Sequence, residues 1–167
     1  MGPAPRSSPA GFVRIDIAAV GRLRKGPEAA MVQDYLDRFA KAGRSLGLPP
    51  ITIHEVEDKR GGGMAAEADL LARVIPQGSA LVVMDERGEQ PTSPEFARRL
   101  ADHRDRARDL CFVIGGADGL DLSLRARADW QISLGRMVWP HMLVRVMLAE
   151  QLYRAATILA GSPYHRE

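Results

Sequence analysis

Residues 134–167 read LGRMVWPHMLVRVMLAEQLYRAATILAGSPYHRE, and this stretch decides the fold. Pro140 is suited to the first turn of a helix, so a long apolar helix is predicted to begin near His141 and to end at Gly161. Its apolar residues cover more than one stripe, which predicts burial on two sides. In a domain of this size, that burial favours a homodimer. The tail that follows is rich in hydrogen-bonding and titratable groups, which predicts a functional role for it.

Composition indicates one globular domain. The chain has 167 residues, of which 46% are hydrophobic and 26% charged, so residues 11–167 are interpreted as a single domain and residues 1–10 as a disordered extension. The extension has no apolar core of a secretory signal and no apolar run is long enough to span a bilayer, so we expect a cytoplasmic protein without a membrane partner. Cys111 is a predicted core residue, and the four histidines show no metal-ligand spacing. The net charge of +2 only mildly favours an anionic partner.

Strand-like and helix-like segments alternate along the chain. Strands are predicted over residues 12–20, 51–56, 80–84, 110–114 and 130–134, with helices around 32–39, 64–74 and 93–108 between them. This alternation predicts an α/β fold with a mainly parallel sheet and flanking helices. Ligands of such sheets bind at the carboxyl ends of the strands, near a topological switch point.

Two basic loops follow the first two strands. They carry Arg22, Arg24 and Lys25 in one loop and Lys59 and Arg60 in the other. Such residues contact the phosphates of a nucleic acid without reading its sequence. Two solvated loops would carry the same residues, and the sequence favours neither interpretation.

A further loop, Asp85–Glu89, follows the third strand. Two adjacent carboxylates at a strand end are able to serve as acid and base, but a turn uses the same Asp and Gly for conformational reasons. We therefore interpret the segment as a turn.

The fourth strand runs straight into Gly115-Gly116-Ala117-Asp118-Gly119, which is the strongest local motif. Glycines there allow a ligand to lie against the backbone. A Rossmann loop is disfavoured because the spacing is not G-x-G-x-x-G and the loop does not follow the first strand. Close packing without a ligand stays open as an alternative. His141 faces the same predicted edge and is a candidate catalytic group, although a helix cap would also place a histidine there.

With these residues the chain resembles the large-subunit ribosomal RNA pseudouridine-N3 methyltransferases of the SPOUT, or trefoil-knot, superfamily. The similarity spans residues 12–167. Its anchors are Ala19-Val20-Gly21, Lys59-Arg60-Gly61, Met84-Asp85, the Ile114–Leu120 loop, the Pro140–Val146 and Ala149–Ala155 helix segments, and the terminus Pro163-Tyr164-His165-Arg166-Glu167.

The resemblance implies a C-terminal deep trefoil knot, S-adenosyl-L-methionine as methyl donor, and a homodimer in which the partner subunit completes each active site. It also implies 23S ribosomal RNA as the substrate. Carried over by position, the residues that bind the donor would be Met84, Gly115, Gly116, Leu134, Gly135, Arg136, Met137, Val138 and Trp139. The family often has Leu at the position of Met84, and Ser or Thr where this chain has Gly135 and Arg136.

The chemistry of methylating an imide nitrogen assigns roles to the catalytic candidates. Arg154 and Arg166 would bind the negative charge that spreads onto the imide oxygens, and His141 would accept the proton or orient the base. Tyr164 and His165 would stack on, or hydrogen-bond, the target nucleotide.

The modest charge predicts that the RNA is presented on an assembled ribosome or its large subunit. The rival functions are a trefoil-knot transfer RNA methyltransferase and a ribosome-associated binding protein without catalysis.

Overall fold

The computed structural model describes residues 13–166, so the predicted extension at 1–10 lies outside the described residues. Strands and helices alternate along this part of the chain, as predicted. A 3-10 turn, Arg44–Leu46, follows the first helix. In chain order the other elements are β1 (Ile15–Val20), α1 (Pro27–Gly43), β2 (Thr52–Val56), α2 (Gly63–Val74), β3 (Ala80–Glu89), α3 (Ser93–Asp105), β4 (Leu110–Ile114), α4 (Leu122–Arg127), β5 (Trp130–Ile132) and α5 (His141–Leu159).

The five strands form one sheet in the order β2-β1-β4-β3-β5, and every neighbouring pair is parallel. The predicted α/β fold with a mainly parallel sheet is therefore confirmed. The chain leaves β1 toward β2 and leaves β4 toward β5, in opposite directions along the sheet. The topological switch point consequently lies between β1 and β4, where ligand sites are expected.

Helices cover both faces of the sheet, which is why most residues of the central strands are apolar. All residues of β1 and β4 are buried. On one face, side chains of α1, α3 and α5, including Phe39, Phe96 and Leu152, pack with alternate strand residues. On the other face, α2 and α4 contribute Leu71 and Leu124. Cys111 belongs to this second core, as predicted.

Residues Asp85–Glu89 continue β3, so the predicted turn is wrong. Both Met84 and Glu89 pair with Ile132 of β5, which makes the intervening residues a bulge within one long strand. The missing side chain of Gly88 makes this packing possible, because a Cβ there would lie 2.6 Å from the carbonyl oxygen of Gln131. The turn-forming residues lie at the irregular part of the strand, and pairing of Glu89 with Ile132 returns the chain to the sheet.

Helix α5 begins directly after Pro140 and ends before Gly161, which adopts a φ of +71°. The predicted two-sided burial is confirmed: α5 packs on the sheet between α1 and α3. The helices that cover it belong to the same chain, so its apolar sides do not by themselves require a partner subunit. No helix within residues 13–166 has the length and apolar character needed to cross a membrane.

Arg145 ties the first turns of α5 to the strand ends. Its guanidinium is buried and donates to the carboxylate of Glu55 on β2, at 2.5 Å, and to the carbonyl oxygen of Gly21, at 3.0 Å. The same carboxylate accepts from the backbone N–H of Leu23 at 2.8 Å. The start of α5 is thereby fixed against the loop that follows β1.

Candidate active site

A cleft of about 730 Å³ lies at the carboxyl ends of β3, β4 and β5. Three loops predicted from the sequence to bind one ligand meet there: the end of β3 at Met84, the glycine loop Gly115–Gly119, and the segment Leu134–Trp139 that leads into α5. Arg136 alone among the predicted donor-binding residues does not line the cleft. A volume of this size and its position at the strand ends are typical of a small-molecule site.

The wall of the cleft combines apolar side chains with a few charged ones. Its apolar part comes from the ends of β3, β4 and β5 and from the Leu134–Trp139 segment. Asp85 and Arg125 face each other there, with Asp85 Oδ2 3.8 Å from Arg125 Nε. An apolar cleft with few polar groups binds an uncharged ring system in its apolar part and fixes the orientation through the polar groups.

Part of the reason for glycine in this loop is that the loop folds back on itself. A Cβ on Gly115 would lie 2.6 Å from the carbonyl oxygen of Gly119, so the loop folds back where a side chain would stand. The backbone N–H of Gly119 donates to the carbonyl oxygen of Gly116 at 3.0 Å, and Gly119 has a φ of +85°. The alternative of close packing therefore explains Gly115, while Gly115 and Gly116 both still line the cleft.

Behind the glycine loop lies the carboxyl group of Glu67 from α2. A Cβ on Gly116 would approach this carboxylate within 3.1 Å. Burial, followed by the nearby carboxylates of Asp118 and Asp58, raises the pKa of Glu67. The protonated form of Glu67 is therefore favoured relative to an ordinary glutamate.

His141 lies at the junction of the cleft and the first basic loop. Its side chain lines the cleft, and a Cβ on Gly21 would lie 3.6 Å from its Nε2. This position matches the predicted one, at a strand-end edge near the glycine loop. An imidazole there is open to a ligand in the cleft and to a molecule lying on the loop after β1.

The two basic loops are brought together at the same edge. The backbone N–H of Gly21 donates to the carbonyl oxygen of Val56 at 2.7 Å, and Arg22 pairs with Glu57 across 3.5 Å. All five predicted RNA-binding side chains are exposed: Arg22, Arg24, Lys25, Lys59 and Arg60. They form a basic edge that adjoins His141 and the cleft.

The tail folds back onto the second half of α5, where Glu150 holds it. The carboxylate of Glu150 accepts from Tyr164 Oη at 2.7 Å and from Arg154 at 2.9 and 3.2 Å. Arg154 also stacks over the ring of Tyr164, and its Nη1 lies 3.2 Å from His165 Nδ1. Burial, followed by the hydrogen bond to Glu150, raises the pKa of Tyr164 to about 12, so the phenol stays protonated at neutral pH.

The predicted catalytic residues therefore form two groups within one chain. His141 begins α5, whereas Arg154, Tyr164 and His165 cluster near its end. Arg154 lies 13 positions after His141 in α5, which corresponds to a rise of about 20 Å along the helix. Arg166 is exposed beyond this cluster.

Two functional residues were missed from the sequence. Glu150, which holds the tail, is a glutamate in the middle of a helix, and only its spacing of four residues from Arg154 signals a pair. Arg125 in the cleft wall belongs to α4, a short helix that was not predicted.

A parallel sheet with helices on both faces and a cleft at its strand ends defines an α/β domain of the kind that binds ligands at that edge. Residues 13–165 match a family model described as "Predicted SPOUT methyltransferase". The chain therefore belongs to the SPOUT methyltransferase family, as the sequence motifs predicted. The deep knot that the resemblance implies stays a prediction.

Similar proteins agree with this membership. "Ribosomal RNA large subunit methyltransferase H" of Paracoccus denitrificans is 74% identical over 155 residues, covering 93% of this chain and 100% of that protein. The protein of the same name from Roseobacter denitrificans is 64% identical, covering 92% and 99%. Among solved structures, a probable methyltransferase from Bordetella pertussis superposes with a TM-score of 0.51 at 14% identity, covering 87% of this chain and 98% of that one. This last likeness concerns the fold alone.

Proposed function

We propose that this protein transfers a methyl group from S-adenosyl-L-methionine to N3 of a pseudouridine in 23S ribosomal RNA, on the assembled ribosome or its large subunit. The observation that carries the proposal is the single cleft in which all three predicted donor loops meet. The names of relatives up to 74% identical support a ribosomal RNA substrate. Such a substrate implies that the protein works in the cytoplasm.

The residues of the cleft fit the donor. Met84, Ile114 and Leu134 supply apolar surface for an adenine ring, while the backbone of Gly115–Gly119 supplies hydrogen-bonding groups beside it. When bound, the donor supplies an electrophilic methyl group on a sulfonium. The wall also carries both signs of charge, which a molecule with an amino-acid end requires.

His141 and Arg166 are the groups that we assign to the reaction. His141 lies in the cleft next to the basic edge, where it accepts or orients the imide proton. Arg166, which is exposed, binds the charge that develops on the imide oxygens. Arg154 already donates to Glu150 and lies beside His165, so its role is to hold Tyr164 and His165 for contact with the nucleotide.

A homodimer would unite the two catalytic groups. Within one chain they lie about 20 Å apart along α5. Beside the cleft, Met137 and Val138 are 74% and 81% exposed, and Trp139 and Leu143 are each 40% exposed. An exposed apolar patch of this kind is typical of a protein–protein interface. We assign it to a second copy of the chain, whose tail would then complete the cleft.

The basic edge would hold the RNA by its phosphates. Five exposed cations and a net charge of +2 provide limited electrostatic attraction. The substrate is therefore one whose shape is already organised, and a ribosomal subunit meets that requirement better than free RNA.

The test is methyl transfer from radiolabelled S-adenosyl-L-methionine to ribosomes that lack the modification, beside naked ribosomal RNA and bulk transfer RNA. We expect label in ribosomes or large subunits only, and mass spectrometry of digested nucleosides should identify N3-methylpseudouridine. Label in transfer RNA would overturn the substrate. Donor binding without label in any RNA would favour the non-catalytic binding protein. His141→Ala should abolish the label, while Arg127→Ala, at an exposed position outside the cleft, should leave it unchanged.

A further inference from the structure

A poorly matched ion pair lies in the wall of the cleft. Arg125 Nε is buried and has no hydrogen-bond partner among residues 13–166. Its nearest carboxylate oxygen, Asp85 Oδ2, is 3.8 Å away, which is too long for a hydrogen bond. The side chain of Asp85 is only 10% exposed and that of Arg125 is 22% exposed. Charged groups that are this buried and so incompletely paired are costly unless a further partner satisfies them.

Both side chains are held in place by their surroundings. Asp85 Oδ1 accepts from the backbone N–H of Arg87 at 2.9 Å, which leaves Oδ2 directed toward Arg125. Helix α4 is fixed by its Asp121 cap, which accepts from the backbone N–H of Ser123 at 3.0 Å. The carbonyl oxygen of Arg125 itself accepts from Gln131 at 3.1 Å. Two charged side chains that are held in place but lack part of their hydrogen bonding are suited to bind a ligand.

We infer that Arg125 and Asp85 bind the amino-acid end of the methyl donor, with Arg125 receiving the carboxylate and Asp85 the ammonium group. The inference rests on the proposed function, because it takes S-adenosyl-L-methionine as the ligand of the cleft. An anion alone would meet repulsion from Asp85, and a cation alone would meet repulsion from Arg125. The two charges of an α-amino acid are attached to one carbon, so they match two opposite charges that lie side by side.

The experiment compares two ligands that differ only at the carboxylate. Isothermal titration calorimetry would measure the binding of S-adenosyl-L-methionine and of its decarboxylated form to the full chain and its variants. We expect the unaltered protein to bind the carboxylated donor about tenfold more tightly, as one charge-assisted hydrogen bond provides. Arg125→Gln should remove this preference by weakening only the carboxylated donor. Asp85→Asn should weaken both ligands to a similar extent, because both carry the ammonium group.

Arg127→Gln is the matched control, since Arg127 lies on the same short helix but is exposed and outside the cleft. It should retain the full preference, and thermal denaturation should confirm that all variants fold. Equal weakening of both ligands by Arg125→Gln would overturn the inference. So would unchanged donor affinity together with weaker binding to the large subunit, which would assign Arg125 to an RNA phosphate. If the unaltered protein bound neither ligand, the proposed donor would fail as well; binding of both with equal affinity would overturn this inference alone.

Discussion

Mixing two inactive variants, His141→Ala and Arg166→Ala, should restore activity if each active site is shared between subunits. His141 lies in the cleft, and the cluster that holds the tail is about 20 Å away along α5. In a mixed dimer, the cleft of the Arg166→Ala subunit receives an intact tail from the His141→Ala subunit. The opposite site lacks both groups.

The proportion of mixed dimers sets the size of the expected recovery. Equal mixing produces about half mixed dimers, and one of the two sites in each is complete. About a quarter of the activity of the unaltered protein is therefore expected, whereas each variant alone should have almost none. Methyl transfer to ribosomes lacking the modification measures the activity, and native mass spectrometry of isotope-labelled subunits measures how many dimers are mixed.

Controls separate this result from other causes of recovery. Mixing His141→Ala with a His141→Ala, Arg166→Ala double variant should restore nothing, because no site then has both groups. If exchange is complete and the two single variants still show only their own residual activities, the groups act within one chain, and the assignment of the tail to the partner's cleft is refuted.

Three further predictions concern individual contacts. Tyr164 has a raised pKa of about 12, so its contact with Glu150 stabilises the fold fully below pH 10 and is lost as the pH rises through about 12; absorbance at 295 nm should show a titration step near pH 12 that Tyr164→Phe removes, and loss of a step near pH 10 in that variant instead would contradict the buried contact. Gly88→Ala would place a Cβ 2.6 Å from the backbone of β5, so chemical denaturation should show a loss of about 1–3 kcal/mol in the free energy of unfolding, and an unchanged value would mean that the bulge yields freely. Arg145→Met removes the ion-pair partner of the Glu55 carboxylate, which keeps its hydrogen bond from Leu23, and should cost about 1.5–3 kcal/mol by the same measurement; a cost near zero would show that solvent compensates for the lost pair.

The buried strands could be predicted from the sequence because each is a short run of mainly apolar residues, which is typical of a strand with both faces covered. Strand β4 has the predicted bounds, since all five of its residues are apolar and buried and it lies between two neighbouring strands in the sheet. The end of β3 could not be predicted, because Asp85–Glu89 has turn-forming residues and returns to the sheet where Glu89 pairs with Ile132 of β5. Helix α4 was missed because it has six residues, of which only Leu124 is buried.

The meeting of the three loops in one cleft could be predicted because residues at the carboxyl ends of parallel strands converge at one edge. That these loops bind the donor stays a prediction. Close packing was left open as a reason for Gly115, but the sequence could not select it, since the backbone of Gly119 that occupies the space beside Gly115 becomes a neighbour only when the loop closes. Most apolar residues of α5 are covered within the chain, but Leu143 of α5 is 40% exposed, together with Met137 and Val138, which the sequence assigned to the donor. The homodimer stays a prediction.

The rigidity of α5 constrains how two subunits can share their sites. Arg145 fixes the start of the helix to the ends of β1 and β2, and Glu150 fixes the tail to its second half. Cleft and tail are therefore held at a constant separation in each subunit. In a two-fold dimer, a tail that reaches the partner's cleft requires the reverse contact at the same time. Both sites must then form together, and a change that releases the tail from Glu150 should reduce turnover at both sites while leaving the cleft able to bind the donor.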